Sequence, residues 1–292
     1  MNPPYRVMGV VNVTPDSFSD GGDFLDAGAA IAHARELALE GAAILDVGGE
    51  STRPGAAPVE AEEELRRVLP VLEGMASLEW GAFAPPPQIS IDTSKASVAR
   101  AAIAAGASMV NDVSALRGDP AMRELIAETG VECCLMHMLG EPRTMQRDPR
   151  YRDVVDEVRA FLEERLSFAL AAGISEEAIL LDPGIGFGKT IAHNLTLLYR
   201  LQELTTLGRP LLIGTSRKSF LGRIVAQARG ESEAIAPGDR LAGTIATNVL
   251  ALERGASVFR VHDVAPVRDA LAVAAATLGE RWTARSAGTR TS

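Results

Sequence analysis

The chain is poor in the residues that staple, bridge or anchor a protein. Only 2 of its 292 residues are cysteine, and they are adjacent, Cys133 and Cys134, inside an apolar run that reads as a strand. Neighbours on a strand point to opposite faces, which argues against a mutual disulfide or a shared metal and makes both small core residues. No apolar run approaches the roughly 18 residues that mark a membrane span. Residues 1–16 lack the charged start and long apolar stretch of a signal peptide, so the expected location is the cytoplasm. The 4 histidines are too scattered for a zinc pattern. Positive charge is scarce as well: 29 Lys and Arg against 38 Asp and Glu leave −9 at pH 7. No overall positive field draws such a chain to nucleic acid or an anionic membrane, so any anionic ligand must be held by a local cluster.

What the chain does have is apolar substance. Hydrophobic residues make up 47% and charged residues 23%, with mean hydropathy +0.09, enough to bury a core and to exclude disorder and a coiled coil. The length fits either two small domains or one α/β barrel of about 250 residues. Short apolar runs read as strands at Val7–Val11, Ala43–Val47, Ile89–Ile91, Met109–Val110, Val131–Met136, Ile179–Leu181, Leu211–Ile213 and Val258–Val261. Segments of helical period lie at Ala27–Glu40, Val59–Leu78, Ser94–Ala105, Pro120–Thr129, Tyr151–Ala172, His193–Leu204, Asp239–Arg254 and Ala265–Leu278. Strand and helix alternating without hairpins imply parallel strands with helical crossovers. Gly41, Gly106, Gly130 and Gly255 fall just before the next strand, where helix C-caps belong.

The residues that follow the apolar runs separate the two architectures. Asn12, Asp46, Asp92, Asn111 with Asp112, His137, Asp182, Ser216 to Lys218, and Arg260 with His262 stand at or just past eight strand ends. In a parallel barrel these ends open on one face, so polar groups from the whole chain converge on one pocket. The expected fold is therefore α/β, a single-domain (β/α)8 TIM barrel over residues 1–280, with a frayed tail at 281–292 and an exposed loop at Trp80–Gln88. Loops after the first two strands, from Asn12 to Gly22 and from Asp46 to Gly55, exceed the usual two to six residues of a βα turn and read as binding loops. Asp182 to Thr190 ends in Gly-Lys-Thr like a phosphate-binding P-loop, but Pro183 stands where that motif needs glycine, and the glycines do not fit a dinucleotide fingerprint. His33 and His193 read as solvated or capping residues, whereas His137 and His262, at strand ends, read as functional. Hard cations take oxygen ligands and often bind through one or two protein groups plus substrate phosphate, so Mg²⁺ is compatible with the sequence.

The motifs Met8 to Gly22, Gly49 to Gly55, Ile91-Asp92-Thr93, Asn111-Asp112, Met136-His137-Met138, Asp182 to Lys189, Ser216 to Ser219 and Arg260 to Val264 resemble, in order, those of the dihydropteroate synthases, pterin-binding TIM-barrel enzymes of folate biosynthesis. The resemblance covers about residues 7 to 278. It implies a transferase that joins 6-hydroxymethyl-7,8-dihydropterin diphosphate to p-aminobenzoate and releases pyrophosphate. It implies Asn12 as the Mg²⁺ ligand, and Asn12, Arg53, Asp182 and Lys218 as the catalytic set. Asp182, Asp92, Asn111 and Lys218 would bind the pterin with Met138 and Phe187; Arg53, Arg260 and His262 would cradle the diphosphate. Phe18, Thr52, Arg53 and Pro54 would form the slot for p-aminobenzoate, whose carboxylate would meet Ser219 at a helix N-terminus. Sulfonamides are the implied inhibitors and a homodimer the implied assembly. A pterin-dependent methyltransferase on a related barrel would share the floor but need no diphosphate site, so Arg53, Arg260, His262 and Asn12 speak against it. A silent pterin-binding paralogue would not need an intact Asn12, Arg53, Asp182 and Lys218.

Overall fold

The computed structural model describes residues 5–14, 27–52, 55–81 and 85–279. Its strands are β1 Arg6–Asn12, β2 Ile44–Gly48, β3 Gln88–Asp92, β4 Met109–Asp112, β5 Glu132–Met136, β6 Ile179–Asp182, β7 Leu212–Ile213 and β8 Val258–Val261. All pairings are parallel, in the order β6-β5-β4-β3-β2-β1-β8-β7. A single bridge between Leu181 and Leu211 joins the last two edges, with Leu181 N–H donating to the Pro210 carbonyl at 3.0 Å. The ring is thus a nearly closed eight-stranded barrel, thinnest at the two-residue β7.

The alternation of side chains along each strand builds the interior. Met8, Ile44, Met109, Cys134, Leu180, Leu212 and Val258 form one apolar cluster inside the barrel. Their chain neighbours Val7, Leu45, Val110, Cys133, Ile179, Leu211 and Phe259 belong to the larger cluster between strands and helices. Cys133 and Cys134 are therefore buried on opposite faces, as the period of two demands. Burial pushes both thiols up, Cys133 to about 12, which keeps them inert.

Nine α-helices are found among the described residues: α1 Ala27–Leu39, α2 Ala61–Ala76, α3 Ala96–Ala104, α4 Pro120–Thr129, α5 Val154–Ala171, α6 Ile191–Tyr199, α7 Ser219–Arg229, α8 Leu241–Glu253 and α9 Val264–Leu278. The helix ends obey local chemistry. Asp119 accepts from Ala121 N–H before Pro120 opens α4, and Gly130 closes it. His193 serves as a cap, bonding back to Thr190 at the start of α6. Two features depart from the sequence expectation. The segment read as a helix over His193–Leu204 is split, with Leu201–Leu207 forming a 3-10 turn. The helix expected to start at Ser219 is α7, ahead of α8, but its extent does not show as a helical period; its 11 residues contain Gly222, a weak helix former that blurs the period. That glycine is needed because a Cβ there would lie 2.5 Å from Arg240 Nε.

Candidate active site

A cavity of about 940 Å³ opens at the C-terminal ends of the strands. Asn12, Thr52, Asp92, Asn111, Asp182, Phe187, Lys218, Ser219, Arg260 and His262 all line it. Met138 instead packs in a cluster with Met136, Met145 and Phe187, and Met136 and Met145 are the methionines that reach the cavity. Phe18, Arg53 and Pro54 lie outside the described residues. Two strand-end residues do not join the convergence. Asp112 and His137 are one step out of phase with the inward positions, so they point between strands and helices. Asp112 accepts from Ser114 and Leu116 N–H at 2.8 and 2.7 Å and shapes its turn. His137 packs edge-on against Phe161 and meets Lys189 Nζ through Nδ1 at 2.9 Å. Burial, then the Lys189 charge, holds its pKa near 2, so it stays neutral.

The floor is organised by a residue whose strand-end position shows but whose role does not. Asp46 is fully buried and accepts from Ser90 Oγ–H at 2.6 Å, Asn111 Nδ2–H at 3.0 Å and Arg260 Nε–H at 2.7 Å. Arg260 also donates through Nη2 to Asp92 at 2.8 Å. Burial works against the Arg260 charge, but Asp46 and Asp92 outweigh it and raise its pKa. Two of its three nitrogens are committed to the floor, so Arg260 first fixes Asp46 and Asp92, and only its remaining face can serve a phosphate. Ser216 Oγ accepts from His262 N–H at 3.1 Å and meets ring Nδ1 at 3.0 Å, fixing that imidazole at the rim.

Opposite stand Asp182 and Lys218. Asp182 accepts from Gly184 N–H at 2.7 Å; burial raises its pKa, and Lys218 is the chief opposing charge. Lys218 donates to the Ile185 carbonyl and lies 4.5 Å from the centroid of the Phe187 ring, a cation–π contact. Burial lowers its pKa to about 8 despite the pull of Asp182. The loop between them needs its glycines. Gly184 has φ +65°, and a Cβ there would meet the His137 carbonyl at 1.8 Å; Gly186 has φ +86°, and its Cβ would strike Lys218 Cδ at 2.9 Å.

Lys218 is aimed inward by a strained neighbour. Arg217 adopts φ 58°, a conformation that costs an L-residue about 1–2 kcal/mol. It is held by three elements. Its guanidinium donates to Asp263 at 3.0 and 2.6 Å, its N–H donates to Thr244 Oγ1 at 3.2 Å, and its carbonyl accepts from Arg240 Nη1 at 2.8 Å. Such strain, over-determined by surrounding bonds, is typical of functional sites. Asp263 and Lys189, which also donates to the Phe187 carbonyl at 2.9 Å, are not among the strand-end candidates, and Arg217 stands there only within the run Ser216 to Lys218, with no role of its own. Conflict between backbone and residue type is invisible in composition, but the run Ser216 to Lys218 marked the place.

Asn12 places a neutral oxygen donor in the cavity at the end of β1. No group of three or more His, Cys, Asp or Glu among the described residues is arranged as a metal cage. That donor set suits an ion such as Mg²⁺, which retains water and is completed by substrate phosphate, and suits poorly one that needs an all-protein site. No helix among the described residues is long and apolar enough to cross a membrane.

The profile of the family described as "Pterin binding enzyme" matches residues 8–262. The dihydropteroate synthase of Escherichia coli K12 is 46% identical over 278 residues, covering 94% of this chain and 93% of that one. Among solved structures, the dihydropteroate synthase of Xanthomonas albilineans with 4-aminobenzoic acid superimposes at TM-score 0.84 and 49% identity, covering 94% of this chain and 93% of that one. The same organism's enzyme in complex with 7,8-dihydropteroate gives TM-score 0.81 at 46% identity, with 94% of each chain covered. A barrel whose polar strand ends close on a carboxylate, an amide and a lysine, and whose sequence aligns almost throughout, belongs to the pterin binding enzymes, within the dihydropteroate synthase family.

Proposed function

We propose that the chain condenses 6-hydroxymethyl-7,8-dihydropterin diphosphate with p-aminobenzoate to give 7,8-dihydropteroate and pyrophosphate. The observation that carries this reading is the buried floor, where Asp182, Asn111 and Asp92 face Lys218 and Arg260 around one cavity. A pterin edge presents a 2-amino group beside a ring N–H, two parallel donors that the Asp182 carboxylate accepts as a fork. Lys218 donates to pterin acceptors and stacks its charge on Phe187. As the bond from the pterin methylene to the diphosphate oxygen breaks, positive character develops on the methylene and spreads into the ring, where Asp182 favours it. The aniline nitrogen then forms the new C–N bond and loses a proton to solvent, so no dedicated base is required. Negative charge on the departing oxygens falls to Arg260, His262 and Arg53. Mg²⁺, held by Asn12, would supply further charge neutralisation to the pyrophosphate. Ser219, first residue of the 11-residue α7, offers the amine substrate's carboxylate a helix N-terminus. The same reading carries a homodimer and a cytoplasmic location; Val273 and Leu278 of α9 are exposed and supply an apolar face.

The test is pyrophosphate release. Purified protein with Mg²⁺ and the pterin diphosphate is expected to release pyrophosphate only when p-aminobenzoate is added, with dihydropteroate formed in equal amount. Binding without product would overturn the assignment. Asn12→Ala is expected to lower turnover and alter its Mg²⁺ dependence, with little change in pterin affinity; an unaltered Mg²⁺ titration would remove Asn12 from the metal site.

A further inference from the structure

An ion-pair cluster lies beneath the second loop; one member, Glu50, reaches the cavity, and another, Glu64, is near enough to help raise the pKa of Asp92. Glu64 of α2 has a fully buried side chain. Its Oε2 accepts from Lys95 Nζ at 2.5 Å, while Oε1 has no hydrogen-bond partner among the described residues. Lys95, just before α3, also donates to Glu50 Oε2. The other oxygen of Glu50 accepts from Val59 N–H at 3.1 Å. One carboxylate thus ties residue 50 to residue 59 and closes the neck of the loop that carries Ser51 and Thr52 into the cavity. The residue before it is held too: Arg67 Nη1 donates to the Gly49 carbonyl at 2.9 Å, and a Cβ at Gly49 would lie 2.7 Å from Val68 of α2.

The arrangement is poor as a stability device. Two carboxylates share one ammonium, one buried oxygen is unsatisfied, and a well-packed apolar pair commonly equals or exceeds a buried ion pair in stability. Neither Lys95 nor Glu64 lines the cavity. We infer that Lys95, braced by Glu64, is a positioning residue: it holds Glu50 so that residues 50 and 59 stay tied and Ser51 and Thr52 keep their place in the cavity, where the amine substrate is proposed to bind. The inference rests on the function proposed above. It makes the amine site dependent on Lys95 and Glu64, which do not line the cavity.

The test is the double replacement Lys95→Met/Glu64→Leu, which keeps volume and removes both charges. It is expected to melt at or above the unaltered protein and to raise KM for p-aminobenzoate about tenfold while KM for the pterin diphosphate stays within about twofold. Without any substrate, the Val59 amide is expected to exchange its hydrogen faster, while amides of β1 and β2 are unchanged. Equal rises in both KM values, or an unchanged Val59 amide, would overturn the clamp. Should the double variant not fold, Glu50→Gln weakens the Lys95 bond and keeps an acceptor for Val59; the same split in KM is expected, and its absence overturns the inference. Lack of dihydropteroate formation by the unaltered chain would fail the functional reading itself, whereas the Val59 exchange rate judges the clamp independently.

Discussion

Two layers of the barrel interior, one pair of residues apart on the same strands, have opposite chemistry. Met8, Ile44, Met109, Cys134, Leu180, Leu212 and Val258 fill the lower layer. Two positions further on, about 6.6 Å along the strand, four of the seven carry Asp46, Asn111, Asp182 and Arg260, joined by Asp92 at the end of β3, while Val10, Met136 and Gly214 follow on β1, β5 and past β7. The backbone does not distinguish them; both sit on inward positions of one parallel ladder. The lower layer returns apolar burial and seals the barrel. The upper layer gathers three carboxylates and the Arg260 guanidinium out of water, with Lys218 beside them from the start of α7, a cost offset only by their mutual bonds and, in function, by a ligand. The site is therefore the place where the interior stops serving stability.

Cutting each layer separately should break this contrast if it is false. In the upper layer, Asp182→Ala and Lys218→Ala are expected to lower kcat/KM for the pterin diphosphate roughly 10³-fold, mainly through weaker pterin binding, because each truncation leaves an opposed buried charge unpaired. Melting temperature should fall as well, because the unpaired buried charge also destabilises the fold, so pterin binding is compared at temperatures where each variant is folded. Unaltered kinetics in both variants would remove the floor from the site. In the lower layer, Met109→Ala is expected to cost about 3 kcal/mol of folding stability by opening a cavity. Steady-state KM for both substrates should stay near the unaltered value at temperatures where the variant is folded. A loss of pterin affinity comparable to that of Asp182→Ala would mean that the layers act as one unit.

The sequence reveals this division where strand parity is decisive. Asn12, Asp92, Asn111, Asp182 and Arg260 are polar residues at the ends of apolar runs and on inward positions, and all reach the cavity. Asp112 and His137 share the strand-end position but not the parity, and so turn toward the helices. The anchoring role of Asp46 needs the registers of β2 and β8 on either side of β1, since Arg260 is 214 residues away from it in the chain. Glu50, Glu64 and Lys95 come from a loop, a helix and a helix start; no local pattern brings them together. Arg217 takes a left-handed backbone through bonds to residues 240, 244 and 263, which no propensity of its own would indicate.

The subtlest probe of the upper layer is pH. Burial lowers the Lys218 pKa to about 8, with Asp182 opposing and Arg260 adding to the effect. In the free protein the ammonium is then lost as pH rises through about 8, and kcat/KM for the pterin diphosphate should fall above that point, approaching tenfold per pH unit. Folding stability should move the other way. Between about 8 and the ordinary lysine range the unfolded chain holds a proton that the folded chain has released, so this residue's contribution to stability rises with pH across that window. Lys189, lowered to about 7 by burial, has the same sign from a lower starting point. Activity that falls while the melting temperature holds or rises identifies loss of the Lys218 charge, whereas a parallel fall in both is alkaline unfolding and would separate the pH limb from the floor. Lys218→Arg supplies the control: its guanidinium keeps its charge, so the alkaline limb should disappear from the measured range even though the fitted ammonium contacts to the Ile185 carbonyl and the Phe187 ring are lost and the plateau is lower.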